Sequence, residues 1–315
     1  MKTIRTWLTT MAVLLCSISA SAHHFEVDGI YYNRTSDTTV AVTFRGSSYY
    51  AYSNEYSGDV TIPSIVTYAN TEYIVTSIAD GAFSQCVDLT SVTIPNSVVK
   101  IGKTAFSTAK KLTSITIPNS ISSIGSGAFN WCENLKYVHI SDIAAWCNID
   151  FWGDSSNPLQ YAHHLFINGN EVTDLVIPDG VTMLKDDIFK GCFGLTSVTI
   201  PNSVTRIRDF VFDDCNNIQN IYCLAENIPS TFSYSFTGLD IKNITLYVPE
   251  TAVAKYQSTA PWSSFGTIKA LPKTYINETK GENGNAKPAV YDLSGRRVQN
   301  AQKGIYIQNG RMIVK

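Results

Sequence analysis

Charge is scarce in this chain. Charged residues fill 16% of its 315 positions, against about a quarter in ordinary soluble domains. Neither sign dominates, since 24 Lys plus Arg face 26 Asp plus Glu. That near-neutrality removes the usual electrostatic case for nucleic acid binding, which rests on a basic face. Long apolar runs are missing as well; the one around Met11–Leu15 is well short of the roughly 20 residues that span a bilayer. The Gly-x-Ser-x-Gly elbow, His-Glu-x-x-His, the phosphate loop and the EF-hand pattern are all absent, which leaves no catalytic or metal signature. Cysteine is sparse, with seven in all. Hydrophobic residues nevertheless reach 44%, enough for a substantial core, so wholesale disorder is excluded. The 17 Tyr and 14 Phe suit β-structure and aromatic contact surfaces.

Lys2 and Arg5 precede the short apolar stretch, and Ala20-Ser21-Ala22 follows it as a small-residue cleavage site. This layout predicts a secretory signal peptide over residues 1–22 and an exported, soluble mature chain, secreted or at the cell surface, with the periplasm as the alternative address.

A 23-residue repeat organises the middle of the chain. Leu89-Thr-Ser-Val92-Thr-Ile94-Pro95-Asn96-Ser-Val98-Val-Lys-Ile101 returns from Leu112 to Ile124 and again from Leu195 to Ile207. An Ala-Phe-like pair and often a Cys follow, as in Phe83 with Cys86, Phe129 with Cys132, Phe189 with Cys192 and Phe212 with Cys215. In Leu-x-x-Val-x-Ile, alternate residues point inward along a short strand, and Pro, lacking an N–H, ends it. The return limb is then turn, short helix or irregular chain. A single unit is too small to bury its own apolar residues, so the units must stack. The expected fold is therefore an α/β repeat solenoid of short parallel strands, over residues 63–272, with a β-rich cap over 23–62.

The Ile-Pro-Asn-Ser-Val and Ala-Phe-x-x-Cys elements resemble the BspA-type leucine-rich repeats of bacterial surface proteins, across roughly residues 26–272. That resemblance implies a non-enzymatic protein of adhesion type that binds matrix proteins. Asn96, Asn119 and Asn202 follow Pro directly, so an inward Asn ladder is not assured. The spacing slips between Ile117 and Ile177, which are 60 residues apart, and the excess points to an insertion at about 146–171, rich in aromatics and histidine and carrying the turn pair Asn168-Gly169.

Residues 273–288 are polar and read as a linker. Beyond it, Tyr291-Asp-Leu-Ser-Gly-Arg-Arg-Val298 and Lys303-Gly-Ile-Tyr-Ile307 resemble the end of the sorting tail read by the type IX secretion system of Bacteroidetes. The resemblance implies that 289–315 addresses the chain to that export machinery and to the outer surface. Ser294-Gly295 and Asn309-Gly310 lie between β-like runs, as hairpin turns do.

Residues with the makings of a reactive site are few. His163-His164 could offer a metal ligand, but neighbours on a strand face opposite ways and no partners have ligand spacing, so neither metal nor cofactor is expected. Asp186-Asp187 and Asp213-Asp214 read as solvated carboxylates. Cys86, Cys132, Cys192 and Cys215 share one repeat position and read as small buried fillers. Cys192 and Cys215 fall on adjacent turns within reach of a disulfide, although stacking need not supply the dihedral. The exposed strand positions are the better lead: Ser91/Thr93, Ser114/Thr116, Tyr137/His139, Asp174/Val176, Ser197/Thr199 and Asn220/Tyr222. With the insertion beside them, the candidate binding residues are Tyr137, His139, Trp146, Trp152 and Tyr222, on a concave sheet suited to a host or matrix protein, a glycan or a neighbouring cell. Two other readings stand beside this one. A glycan-directed enzyme would need two facing carboxylates from Asp150, Asp154 and Glu171. A passive surface scaffold would bind nothing saturably.

Overall fold

In the computed structural model, the described residues are 23–51, 53–271 and four short tail strands. The expected signal peptide and linker lie outside them, as do Ser294-Gly295 and Asn309-Gly310.

The chain opens with the antiparallel meander that its alternation predicts: β1 (Phe25–Val27), β2 (Ile30–Arg34) and β3 (Thr39–Thr43). The strand β4 (Gly58–Thr61) leaves it to lie parallel to β7 (Leu89–Thr93). Between them, β5 (Ile65–Tyr68) and β6 (Thr71–Ile78) form a hairpin. Its turn, Ala69-Asn70, holds φ of 49° and 63°, the left-handed pair that a two-residue hairpin turn requires. The pattern Leu-x-x-Val-x-Ile is absent here, so the repeat signature gave no sign of this hairpin.

From β7 onward the chain alternates between two sheets. The first is built from Leu-x-x-Val-x-Ile strands and the second from two-residue strands: β8 (Lys100–Ile101), then β9 (Ser114–Thr116) and β10 (Ser123–Ile124), then β11 (Tyr137–Ile140) and β12 (Asp150–Phe151). After β13 (His164–Ile167) and β14 (Asn170–Glu171) follow β15 (Asp174–Val176) and β16 (Met183–Leu184), β17 (Ser197–Ile200) and β18 (Arg206–Ile207), β19 (Asn220–Cys223) and β20 (Ser230–Thr231), and finally β21 (Thr245–Val248) and β22 (Thr267–Ala270), which both belong to the first side and pair with each other. This is a leucine-rich repeat fold of parallel strands. The α/β expectation needs correcting, because the return limb carries a strand, not a helix. Among the described residues the α-helices are α1 (Ile143–Asn148), α2 (Leu159–Ala162) and α3 (Val253–Ser258), none longer than six residues. Isolated helices that short are marginal. Paired residues lie 23 apart at Ser114↔Tyr137 and Ser197↔Asn220, but 27 apart at Tyr137↔His164 and 25 apart at Asn220↔Thr245.

Inward residues alternate as the pattern requires: Leu112, Ile115 and Ile117 are buried, as are Leu195, Val198 and Ile200. The turn limb adds its own ladder. Phe83, Phe106 and Phe129 stack with centroids 5.2 and 5.4 Å apart and planes within 12°. Phe189 and Phe212 repeat the arrangement at 5.9 Å. Backbone bonds lace the same turns together, with the Phe106 N–H donating to Ala128 O at 2.7 Å. Asn96, Asn119 and Asn202 are exposed, so no inward Asn ladder forms. The next residue does that work: the Ser120 hydroxyl donates to Val98 O and that of Ser203 to Val181 O. Ser97 heads this ladder, and its buried hydroxyl has no partner, because the unit before it is the β5–β6 hairpin.

All six described cysteines are free and buried, so no Cys192–Cys215 bridge forms. The Cys215 thiol points to Phe189 O instead, 3.1 Å away, and that of Cys132 points to Phe106 O. Burial pushes the Cys86 thiol up to about 11 and those of Cys132, Cys147 and Cys192 to about 12.

The segment read as an insertion is woven into both ladders. β12 pairs with β10 and β13 with β11, each 27 residues on. Ile167 then follows Ile140 by 27 residues, and Ile177 follows Ile167 by 10. In that short step β13 turns back through Asn168-Gly169 into β14, and no second-sheet strand is made. Both sheets are therefore interrupted: on the first side, where β4 and β7 pair apart from the rest, the ladder from β9 ends at β14 and the next begins at β15, and the second sheet ends at β12 and resumes at β16. Long-range contacts bridge the break. The Trp146 indole N–H donates to Ile188 O at 3.0 Å, the Asn157 amide donates to Asp187 O, and the Lys185 ammonium reaches both Asn148 O and Asp150 at 2.6 Å.

At the C-terminal end Tyr256 of α3 and Trp262 are buried in edge-to-face contact at 5.2 Å, closing the core. In the tail, β23 (Val290–Tyr291), β24 (Arg297–Val298), β25 (Ile305–Gln308) and β26 (Arg311–Val314) form a four-stranded antiparallel sheet in the order β24-β23-β25-β26.

Two outcomes are expected. Phe106→Ala, at the centre of the ring stack, lowers unfolding stability in urea by about 3–5 kcal/mol, whereas Phe232→Ala, 42% exposed, costs under about 1 kcal/mol. The described thiols stay unreactive to a chromogenic disulfide reagent at pH 8 and react on denaturation. Because unfolded thiols ionise near pH 8.5, stability also falls as pH rises through that value.

Candidate interaction surface

Outward positions on the first sheet meet in one aromatic cluster. Tyr137 and His139 project from β11 beside His164 and Phe166 of β13, in the register Tyr137↔His164 and His139↔Phe166. The Phe166 ring meets Tyr137 edge-on at 5.7 Å and His139 at 5.1 Å. His164 Nδ1 lies 2.6 Å from a carboxylate oxygen of Glu171, on the returning strand β14. Tyr137 is 41% exposed, which is high for a ring with two aromatic neighbours. Further along the sheet, Tyr222 stacks on Tyr247 at 4.9 Å with the planes within 11°. Short hydroxyl side chains separate the two aromatic groups: the Ser197 hydroxyl donates to Asp174 across β15 and β17. The surface is broad and mixed in character, and the aromatic groups give it area at low entropic cost.

The five residues expected from sequence divide. Tyr137 and His139 are brought together, and Tyr222 lies beyond the break, on β19 of the ladder that begins at β15. Trp146 is a correction. It is 1% exposed, and its indole donates to a backbone carbonyl inside the core; on α1, Ile143, Trp146 and Cys147 form the apolar face that packs inward. Trp152 is exposed but follows β12 of the second sheet, away from Tyr137, His139 and Tyr222 of the first. His164, Phe166 and Tyr247 escaped the sequence reading. The signal for the first two was available, because His164-Leu-Phe-Ile167 copies the alternation of Tyr137-Val-His-Ile140.

The adjacent histidines diverge because the chain passes from helix cap to strand between them. His163 caps α2 in the left-handed region, at φ 61°, and stacks on Phe193 at 4.1 Å, while His164 turns to Glu171. Among the described residues no three His, Cys, Asp or Glu side chains gather as metal ligands. Of the three carboxylates from which an enzyme would draw a facing pair, Glu171 sits against His164, Asp154 is exposed, and Asp150 is ion-paired with Lys185. Asp186 is structural as well, since it accepts from the Asp209 N–H at 3.0 Å and from Arg208 at 2.9 Å.

Residues 49–149 and 160–260 match the BspA type leucine rich repeat region in six copies, over more than half of the chain. Among solved structures, a leucine-rich repeat protein from Bacteroides ovatus is 22% identical over 79% of this chain and 77% of its own, with a TM-score of 0.38. One from T. pallidum is 24% identical over 62% of this chain and 80% of its own, with a TM-score of 0.39. A leucine rich cell surface protein from Faecalibacterium prausnitzii is 16% identical over 83% of this chain and 98% of its own, with a TM-score of 0.24. No curated protein matches. The repeat signature, the parallel ladders it builds and the family match agree, and the chain belongs to the BspA-type leucine-rich repeat family.

Proposed function

We propose that this is an exported interaction protein of adhesion type, whose first sheet binds an extracellular protein partner through its outward aromatic positions. The observation that carries this reading is the cluster of Tyr137, His139, His164 and Phe166 on adjacent strands, left open on a face where the fold does not need those rings. Aromatic anchors ringed by small polar side chains are what protein interfaces concentrate. Leucine-rich repeat proteins are typically non-enzymatic. The signal-peptide layout of 1–22 supports export to the exterior. Among the described residues no helix is long and apolar enough to cross a membrane.

The tail is the proposed export address, read by type IX machinery. Its support is the residue resemblance together with the pairing of β23–β26 solely with one another among the described strands.

Two experiments test these assignments. Mature protein is expected to bind at least one of a panel of purified, immobilised extracellular-matrix proteins saturably, and Tyr137→Ala with Tyr222→Ala weakens that binding by about tenfold or more, the loss of about 1.4 kcal/mol. Unchanged affinity in the double variant removes this face from the mechanism. Deleting 289–315 is expected to leave the protein inside the cell envelope, detected by protease shaving of intact cells; undiminished surface exposure refutes the address.

A further inference from the structure

We propose that the cleft at the break in the second sheet is a binding site for a neutral saccharide, with Trp152 as its stacking platform. The position that follows each second-sheet strand tells the two halves of the chain apart. In the first units it is Gly102 and Gly125, where a Cβ would fall 2.4 Å from Asp80 N and 2.5 Å from Lys103 N. Backbone closes on backbone there, and no side chain fits. From the break onward the same position carries Trp152, Lys185, Arg208 and Phe232. The Arg208 guanidinium lies 5.3 Å over the Phe232 ring, so the stripe is continuous on its far side.

Trp152, Lys185 and Arg208 line a cleft of about 260 Å³ between the strand edges of β12 and β16, where Phe151 and Met183 also border it. The cleft exists because the short step from β13 to β15 omits one second-sheet strand. Trp152 is 63% exposed. Trp146, by contrast, already fills the core at the break, so the fold makes no demand for a second indole there.

The chemistry of the walls selects the ligand class. Lys185 is paired with Asp150 at 2.6 Å and Arg208 with Asp186 at 2.9 Å. Two cations and two anions balance, so a polyanion gains no net field and meets two carboxylates. A sugar hydroxyl both donates and accepts, which suits ion pairs that offer a carboxylate oxygen beside N–H donors. The apolar C–H face of a pyranose lies flat on an indole, as apolar faces do on aromatic rings. The volume falls below the roughly 300–1,000 Å³ of sites for drug-sized ligands, so it takes a sugar ring or a short segment. This site is independent of the protein-binding face proposed above and uses none of its residues.

The test is titration of the mature protein with maltotriose, cellotriose, mannotriose and N,N′-diacetylchitobiose, read by intrinsic tryptophan fluorescence and by calorimetry. Saturable binding of at least one is expected, unchanged between 50 and 500 mM NaCl in order of magnitude, about tenfold weaker in Trp152→Ala and partly retained in Trp152→Phe. Tyr137→Ala leaves it intact. Trp152 is exposed, so Trp152→Ala keeps the wild-type melting curve, which separates lost binding from lost fold. Three outcomes overturn the assignment: no saturable binding across the panel, binding undiminished in Trp152→Ala, or binding confined to a sulfated polysaccharide such as heparin and lost with salt.

Discussion

The burial that each unit supplies to its neighbours is what the rest of the structure depends on. From β7 to β22 the strands are two to five residues long and cannot hold themselves together, and the inward Leu, Val and Ile of one unit are covered only when the next lies against them. Three ladders provide that cover, namely the first sheet, the second sheet and the stacked phenylalanines of the turn limb. Because each ladder bonds mainly to nearest neighbours, its open ends must be covered. At one end the β1–β3 meander and the β5–β6 hairpin extend the second sheet; at the other, Tyr256 and Trp262 close the core.

The same dependence explains how the break near residues 140–176 is tolerated. Both ladders lose a step there, and a backbone bond from the Phe193 N–H to His163 O at 2.9 Å spans it. Side chains add to it: Trp146, Asn157 and Lys185 reach carbonyls and a carboxylate 30 to 42 residues away in sequence. Each satisfies groups that the missing strand leaves open, and an unsatisfied buried carbonyl or amide would cost about 1–3 kcal/mol. The apolar core runs through the break without division.

The residues proposed for binding gather mainly where regularity fails. Between the regular strands the outward face offers serine and threonine, which are good exposed β-formers and ask for no other explanation. At the break the outward positions become Tyr137, His139, His164 and Phe166, and the position held by glycine in the earlier units becomes Trp152. The cluster of Tyr137, His139, His164 and Phe166 on one sheet and Trp152 on the other both border the irregular step.

The order of residues by itself determined the repeat, the inward set Leu112, Ile115 and Ile117, the strand-ending prolines and the N-terminal meander, because local alternation and a fixed offset are written in sequence. It also placed Tyr137, His139 and Tyr222 on the open face. Only tertiary structure decided that Trp146 is core and Trp152 is surface. Both sit in one aromatic segment, but one lies on the buried face of α1 and the other follows an edge strand. Nor could composition reveal the two-residue strands of the return limb, too short for any propensity to register. The phase of the break was equally hidden: whether 146–171 stood apart or joined the ladders depended on pairing with residues up to 42 positions away, and no local pattern encodes that.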